Sequence, residues 1–198
     1  MTQEKPARRS QADRRAETRA KLLVAARALF VELGFAETAT PEIVRKAGVT
    51  RGALYHHFND KSELFRALAE DEAKAISDHI DAETRQVSDP EQAMIAGSNA
   101  FFEAMLVPGR VKLLMEEAPA VLGHNAAVAL TRANGTEELH DGLSKALPAH
   151  TEAQITALTN LLSAAFDRAA LEIAYGGDAE TYKGAMHHLV AQVLGQDA

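Results

Sequence analysis

The sequence has 198 residues, of which 46% are hydrophobic and 25% charged, with a formal net charge of −7. This balance is typical of a globular protein with room for one domain, or for a small domain joined to a larger one. The absence of Cys excludes disulfides and thiolate chemistry. No apolar run reaches membrane-spanning length, and residues 1–15 are polar and basic, unlike a secretory signal. We therefore expect a cytoplasmic protein without a membrane partner.

The charges are unevenly distributed along the chain. Residues 1–66 contain 13 Lys and Arg against 8 Asp and Glu, a net charge of +5. The remaining residues contain 8 Lys and Arg against 20 Asp and Glu, a net charge of −12. This asymmetry indicates a small basic module joined to a larger acidic one. Because a local basic patch sets the attraction to phosphates, the acidic whole-chain charge does not exclude a nucleic-acid partner.

Helical periodicity dominates the basic part after a loose basic tail. "RAKLLVAARALFVELGF" carries apolar residues at helical spacing, and Gly34 is the expected end of that helix. "TATPEIVRKAGV" predicts a short helix that Thr38 or Thr40 can cap and that Gly48 ends. "RGALYHHF" predicts the next helix, capped by Thr50.

The acidic part also consists of predicted helices. One starts at Asp60, with Glu63 placed for a capping box, and residues 88–90 interrupt the pattern. A short helix over "RVKLLMEEA" is expected to stop at Pro119, residues 122–147 are helical with an interruption at "NGTE", and two long helices follow. We predict an all-α fold of about nine helices, in which an N-terminal three-helix bundle with a helix-turn-helix precedes a larger helical ligand-binding and dimerisation domain. The expected segments are a flexible tail over 1–14, a DNA-binding domain over 15–60 and the larger domain over 61–198.

The stretch "KAGVT" joins two short helices in the manner of a helix-turn-helix. Ala47 and Gly48 let the two helices cross closely, while Val49, Leu54 and Phe58 anchor one face of the second helix. The other face is left for solvent or for a DNA groove, and small residues near the helix start allow it to enter a major groove deeply. The residues on that face are Arg51, Gly52, Ala53, Tyr55, His56 and His57.

Residues 15–70, and above all "TATPEIVRKAGVTRGALYHHFNDKSELF", resemble the DNA-binding region of TetR-type repressors, in particular those that control multidrug efflux. The resemblance implies that the second helix is the recognition helix. It implies base or backbone contacts from Arg51, Ala53, Tyr55 and His56. It also implies phosphate contacts from Thr50, Lys61 and one of Thr38 and Thr40. Many members of the family have a branched apolar residue at the position of Thr40, so which threonine caps the helix and which touches DNA stays open. The basic residues Arg14 and Arg15 can reach along the DNA backbone or into a minor groove.

In the acidic half the resemblance implies a ligand-binding core and two last helices that pair with a second subunit. Apolar stripes with interspersed small residues on those helices suit such a homodimer, although internal core is the alternative reading. The candidate interface residues are Leu158, Leu162, Ala165, Ala169, Met186, Leu189 and Val193. Aromatic and Met side chains of the middle helices suit a small hydrophobic effector, but they are also typical of plain core. The candidate pocket residues are Phe101, Phe102, Met105, Met115, His124 and Phe166.

Other classes of protein fit the sequence less well. There is no G-x-S-x-G elbow and no phosphate-binding glycine loop. A di-iron bundle needs two Glu-x-x-His pairs, and the stretch from Glu137 to His140 supplies one. We therefore expect no enzyme activity, no cofactor and no metal. The alternative to a ligand-responsive regulator is a ligand-independent helix-turn-helix adaptor whose C-terminal half only dimerises or binds another protein.

Overall fold

The structure is a computed structural model that describes residues 10–195, except for the side chains of Thr131, Ala133 and Asn134. These residues form ten α-helices and two π-helical segments and contain no β-strand, which confirms the all-α prediction with one helix more than expected. The α-helices are α1 (Gln11–Glu37), α2 (Thr40–Ala47), α3 (Arg51–His57), α4 (Lys61–Thr84), α5 (Pro90–Met105), α6 (Ala118–Leu122), α7 (His124–Thr131), α8 (Glu137–Ala146), α9 (Glu152–Ala174) and α10 (Ala179–Val193). The π-helical segments are π1 (Lys112–Glu117) and π2 (Arg132–Thr136).

The chain divides into two compact units, the first ending at Leu68 and the second beginning at Ala69. The division falls inside α4, so this helix contributes residues to both units.

The first unit is built around a cluster of three phenylalanines. The ring of Phe30 is fully buried, and its centroid lies 5.6 Å from that of Phe35 and 5.4 Å from that of Phe65. Phe65 meets both Phe30 and Phe35 edge to face, and such contacts add to the stabilisation from burial alone. Gly34, the predicted helix end, has φ of 83° and interrupts α1, which resumes and continues to Glu37.

The start of α1 differs from the prediction. Ser10 accepts a hydrogen bond from the Asp13 main-chain N–H and donates its own main-chain N–H to the Asp13 carboxylate, a capping box that begins the helix at Gln11. Residues 11–14, which were assigned to the flexible tail, are therefore helical. Residues 1–9 of that predicted tail lie outside the described residues.

The second unit has its own aromatic core and a buried ion pair. The rings of Phe101, Phe102 and Phe166 lie 5.3–5.7 Å apart. Arg110 Nε donates to Glu72 Oε2 at 2.7 Å, and both side chains are almost completely buried. Pairing and hydrogen bonding are what make a buried charge tolerable.

Two interruptions predicted in the second unit differ in the structure. Pro119 does not end its helix, because it lies in the first turn of α6, where a missing N–H is harmless. Gly123, with φ of 83°, ends α6. The "NGTE" stretch falls in π2 and at the start of α8. Within residues 10–195, no helix combines the length and the apolar character needed to cross a membrane.

Candidate nucleic-acid interface and ligand cavity

The turn between α2 and α3 has the geometry that the sequence predicted. Gly48 adopts the left-handed conformation, with φ of 64° and ψ of 33°, and its N–H donates to Arg45 O at 3.2 Å. A residue with a side chain adopts this conformation at a cost, which explains the glycine. Thr50 caps α3 as expected, because its hydroxyl accepts from the Ala53 N–H at 3.2 Å.

Helix α3 has one buried face and one exposed face. Leu54 and Phe58 are buried and hold the helix against the rest of the first unit, as predicted, whereas the third predicted anchor, Val49, is partly exposed. Arg51 and His56 are exposed, and Tyr55 is 44% exposed. The Arg51 guanidinium carbon lies 5.4 Å from the centroid of the Tyr55 ring, which is within cation–π range. The face therefore presents basic, aromatic and hydrogen-bonding groups together.

Basic side chains of α1 add positive charge near α3. Arg14 and Arg15 are exposed on the first turns of α1. Burial lowers the pKa of His57 below its ordinary value of 6.5, and the positive charges of His56, Arg15 and Arg19 lower it further. The smaller contributions of His56, Arg15 and Arg19 to this shift show that positive charge surrounds His57.

Neither predicted threonine caps α2, because the N-cap position is occupied by Ala39. Thr38 ends α1 instead, and its hydroxyl donates to Gly34 O at 2.7 Å. Its side chain is 1% exposed, so it does not reach a surface on which DNA could bind. Thr40 is the first residue of α2 and is partly exposed.

Lys61 has partners that the sequence did not reveal. Its ammonium donates to Phe35 O at 2.6 Å and to Thr38 O at 2.9 Å, and lies 4.2 Å from the centroid of the Phe35 ring. The sequence predicted no role for this lysine inside the protein. In the structure it binds main-chain oxygens at the end of α1. Asp60 caps α4 as predicted, accepting from the Glu63 N–H at 2.7 Å.

A cavity of about 610 Å³ lies in the second unit, bordered by residues of α4, α5, π2, α8 and α9. Its buried wall residues are Ile80, Met94, Ser98, Phe101 and Phe166. Its exposed charged wall residues are Asp81, Arg85, Glu137, Asp141 and Lys145. Glu138 also lines the cavity but is only partly exposed.

The structure brings two of the six predicted pocket residues, Phe101 and Phe166, to this cavity. Phe102 and Met105 are fully buried and lie outside its wall. Met115 in π1 and the exposed His124 at the start of α7 are also not part of it. Periodicity identifies the inward face of a helix but does not separate cavity wall from packed core.

Two wall residues that were not predicted carry buried polar atoms without a hydrogen-bond partner among the described residues. These atoms are Ser98 Oγ and Glu138 Oε2. The other carboxylate oxygen of Glu138 accepts a hydrogen bond from the Ser77 hydroxyl. The signal available in the sequence was the polar "GSN" inside the otherwise apolar stretch "AMIAGSNAFF".

The candidate interface residues of α9 and α10 have different environments. Leu162, Ala169 and Met186 are buried within their own chain, so their side chains are not available to a partner. Leu158, Ala165 and Val193 are partly exposed, and Leu189 is exposed. Leu161, which was not predicted, is 70% exposed. Both helices carry apolar residues on more than one face, and the apolar stripe chosen from the sequence mixed these faces.

Comparison with known families agrees with this geometry. Residues 22–68 match the model for bacterial regulatory proteins of the tetR family, and residues 91–196 match that for the tetracyclin repressor-like C-terminal domain. The chain belongs to the TetR family. TetR-family proteins are DNA-binding transcriptional regulators and not enzymes, which confirms both the family and the class predicted from the sequence.

Individual relatives point the same way. The TetR-family chain is 36% identical over 102 residues to the transcriptional regulator TtgR of Pseudomonas putida, an alignment that covers 50% of this chain and 48% of TtgR. It is 32% identical over 143 residues to AcrR of Shigella flexneri, covering 70% of this chain and 66% of AcrR. The chain thus spans about half the length of TtgR in this alignment. The crystal structure of a TetR-family regulator from Pectobacterium atrosepticum superposes with a TM-score of 0.71 at 29% identity, covering 94% of this chain and 96% of the other.

Proposed function

We propose that this TetR-family chain is a ligand-responsive repressor that binds a palindromic double-stranded operator as a homodimer in the cytoplasm. A small, hydrophobic molecule bound in the cavity releases it from DNA. DNA binding is assigned to the first unit, which ends at Leu68, and ligand binding and dimerisation to the second unit, which begins at Ala69. The observation that carries the proposal is the surface of α3, where the basic and aromatic side chains of Arg51, Tyr55 and His56 are exposed together.

Direct contacts to the operator come from α3. Arg51 and His56 donate hydrogen bonds to base edges or phosphates, and Arg51 also supplies positive charge. The Tyr55 hydroxyl donates a hydrogen bond to a phosphate. Ala53 is small enough to let the helix approach the bases. Thr50 and the free N–H groups at the start of α3 suit a phosphate oxygen.

Further backbone contacts come from residues around α3. Arg14 and Arg15 are exposed on the first turns of α1, and Thr40 is partly exposed at the start of α2. Lys61 holds the end of α1 through two short hydrogen bonds, and its 3.4 Å contact to Ala36 O is the one that a phosphate can replace. Thr38 is left out, since its hydroxyl is buried and already bonded.

Dimerisation is assigned to the exposed apolar surface of α9 and α10. Leu161 and Leu189 are its large side chains, and the exposed Ala157, Ala164 and Ala185 lie on the same two helices. Small residues permit close helix approach, and a self-complementary pair of helices generates a two-fold axis. A two-fold protein matches a palindromic operator.

Ligand response follows by linkage between the cavity and α3. Helix α4 supplies Ile80 and Thr84 to the cavity wall and Lys61 to the first unit. In one conformation of the dimer the two recognition helices do not fit the operator. A ligand that binds this conformation more tightly lowers the affinity for DNA, and bound DNA lowers the affinity for the ligand by the same factor. The cavity supports this function over that of a ligand-independent adaptor.

Two experiments test the proposal. Selection of bound sequences from a random double-stranded pool is expected to recover one palindrome with two half-sites, and recovery of unrelated sequences would contradict operator recognition. Thermal melting with a panel of hydrophobic compounds is expected to reveal a saturable rise in melting temperature for at least one of them. If none raises the melting temperature, the adaptor function is the better account.

A further inference from the structure

We propose that operator binding is coupled to the uptake of a proton at His57, which forms a phosphate site together with Arg15 and Arg19 at the end of α3. We call these three residues the basic cluster. The inference rests on the proposed function, because it concerns how the first unit holds the operator. Neither His57 nor Arg19 is among the operator contacts already assigned to α1 and α3.

The Phe58 ring brings the members of the basic cluster together. Phe58 is buried at the end of α3, and the Arg19 guanidinium carbon lies 5.7 Å from the centroid of its ring, within cation–π range. The centroid of the His57 ring lies 6.2 Å from that of Phe58. Arg15 precedes Arg19 by about one helical turn on α1, so the two side chains lie on the same face. The cluster therefore joins the first turns of α1 to the end of α3.

The basic cluster is accessible from solvent. Arg15 is exposed, and Arg19 and His57 are partly exposed. The neighbouring His56 is exposed, and its ring centroid lies 5.5 Å from that of His57. Because His56 belongs to the surface of α3 that is assigned to DNA, the cluster borders that surface.

The charged groups that act on the His57 ring among the described residues are all positive. They are His56 on its own helix, and Arg15 and Arg19 on α1, which packs against α3. Burial is the largest cause that lowers the pKa of His57 below 6.5, and these charges lower it further, so the ring is mostly neutral at pH 7 in the free protein. Other charged residues, next to α3 in the chain or on α2, which also packs against it, do not contribute to this pKa: Asp60, Glu42, Arg45 and Lys46.

A phosphate bound in the basic cluster reverses this balance. It offsets the positive charges of Arg15 and Arg19, and it accepts a charge-assisted hydrogen bond from the protonated His57 ring. The pKa of His57 is therefore higher in the complex than in the free protein, and binding takes up a proton.

The direction of the pH dependence follows from these two pKa values. Above the pKa of the complex the His57 ring is neutral in both states, and the proton adds nothing to the affinity. Affinity rises as the pH falls through the pKa of the complex, and it levels off below the pKa of the free protein. Histidine is the side chain whose ordinary pKa places such a change between about pH 5 and pH 8.

The test measures the pKa of His57 and the proton uptake separately on the full chain. NMR titration of the His57 ring Cε1–H signal, identified by its absence in His57→Gln, gives the pKa with and without the palindrome recovered by sequence selection. Calorimetric titration with the same palindrome, in two buffers of different ionisation enthalpy, gives the number of protons taken up. The buffers contain neither phosphate nor sulfate, so DNA is the source of phosphate groups.

Three variants separate the basic cluster from the other histidines. His57→Gln removes the titrating ring and keeps a polar side chain. Arg15→Gln removes one of the positive charges that act on His57. His150→Gln is the matched control, because His150 is exposed and lies between α8 and α9 in the second unit.

The palindrome is expected to raise the pKa of His57 by at least about one unit, which corresponds to about tenfold tighter binding per subunit at low pH. At the pH midway between the two pKa values, uptake is then about half a proton per subunit or more. His57→Gln is expected to lose this uptake and His150→Gln to retain it. Arg15→Gln is expected to raise the pKa of His57 in the free protein.

An unchanged or lower pKa of His57 in the complex would overturn the proposal, and so would proton uptake that survives in His57→Gln. Specific binding of the palindrome at pH 8 is a separate measurement. Specific binding without proton uptake at His57 contradicts this inference alone, whereas the absence of specific binding at every pH contradicts the proposed function as well.

Discussion

Lys61 at the start of α4 donates its ammonium to the main-chain oxygen of Phe35 at the end of α1, across 2.6 Å. The last carbonyls of a helix lack partners within the helix, and here a lysine 26 residues further along the chain supplies one. The same ammonium lies over the Phe35 ring. A side chain that sequence alone suggested for phosphate binding thus also holds together the unit that carries α3.

Substitution Lys61→Met separates these two roles. Loss of the ammonium removes charged hydrogen bonds, so we expect a loss of about 1.5–3 kcal/mol in the free energy of unfolding, measured by urea denaturation. If Lys61 also binds a phosphate, the slope of log affinity against log salt decreases by about one. A destabilised variant with an unchanged slope would remove Lys61 from the phosphate contacts and leave it the structural role.

Substitution Tyr55→Phe tests the exposed face of α3. The ring and its contact with Arg51 are retained, while the hydroxyl is lost. We expect about tenfold weaker operator binding, the effect of removing one hydrogen bond to a charged group, with an unchanged circular dichroism spectrum. Tyr175→Phe, at an exposed tyrosine of the second unit, is the matched control and is expected to bind the operator normally. Equal operator affinity of the two variants would exclude a contact from the Tyr55 hydroxyl.

Substitution Leu161→Glu tests the assignment of the dimer surface. A charge at the centre of an apolar interface opposes association, so we expect a shift from dimer to monomer in sedimentation velocity at micromolar concentration. Val24→Glu is the control, because Val24 is 71% exposed and Leu161 70% exposed, and Val24 lies on α1. Dimers that persist in Leu161→Glu would place the interface elsewhere.

Asp167 on α9 gives a pH-dependent prediction. Burial raises the pKa of this carboxyl from 3.8 to about 6. Between these values the folded state binds the proton more tightly than the unfolded state does, so stability decreases as the pH rises from about 4 to about 6. A difference of two pKa units corresponds to about 3 kcal/mol. Asp167→Asn is therefore expected to raise the free energy of unfolding by up to this amount at pH 7.5 and hardly at all at pH 4.

The matched control for Asp167 is Asp178→Asn. Hydrogen bonds from the side chain and main chain of Thr181 lower the pKa of the Asp178 carboxyl, and asparagine caps a helix equally well. Urea denaturation of both variants at one fixed protein concentration, across the pH range, compares them. A gain for Asp167→Asn that does not depend on pH would contradict a buried, titrating carboxylate.

The local features of the DNA-binding region were predictable because short-range rules determine them. The left-handed conformation of Gly48 and the cap that Thr50 provides for α3 depend only on residues next to them in the sequence. The second unit was less predictable. Whether Phe102 lies in the core or Phe101 in a cavity wall depends on how several helices pack, which periodicity in one helix does not encode. The partners of Lys61 were missed for the same reason, since they are 23 and 26 residues away in sequence.

The most direct test of the central claim is fluorescence anisotropy of the purified protein with the intergenic DNA beside its own gene, titrated with salt. We predict tight, saturable binding of two subunits per site that random competitor DNA does not displace. Weak binding that disappears near physiological salt and is equal for random DNA would contradict operator recognition by α3.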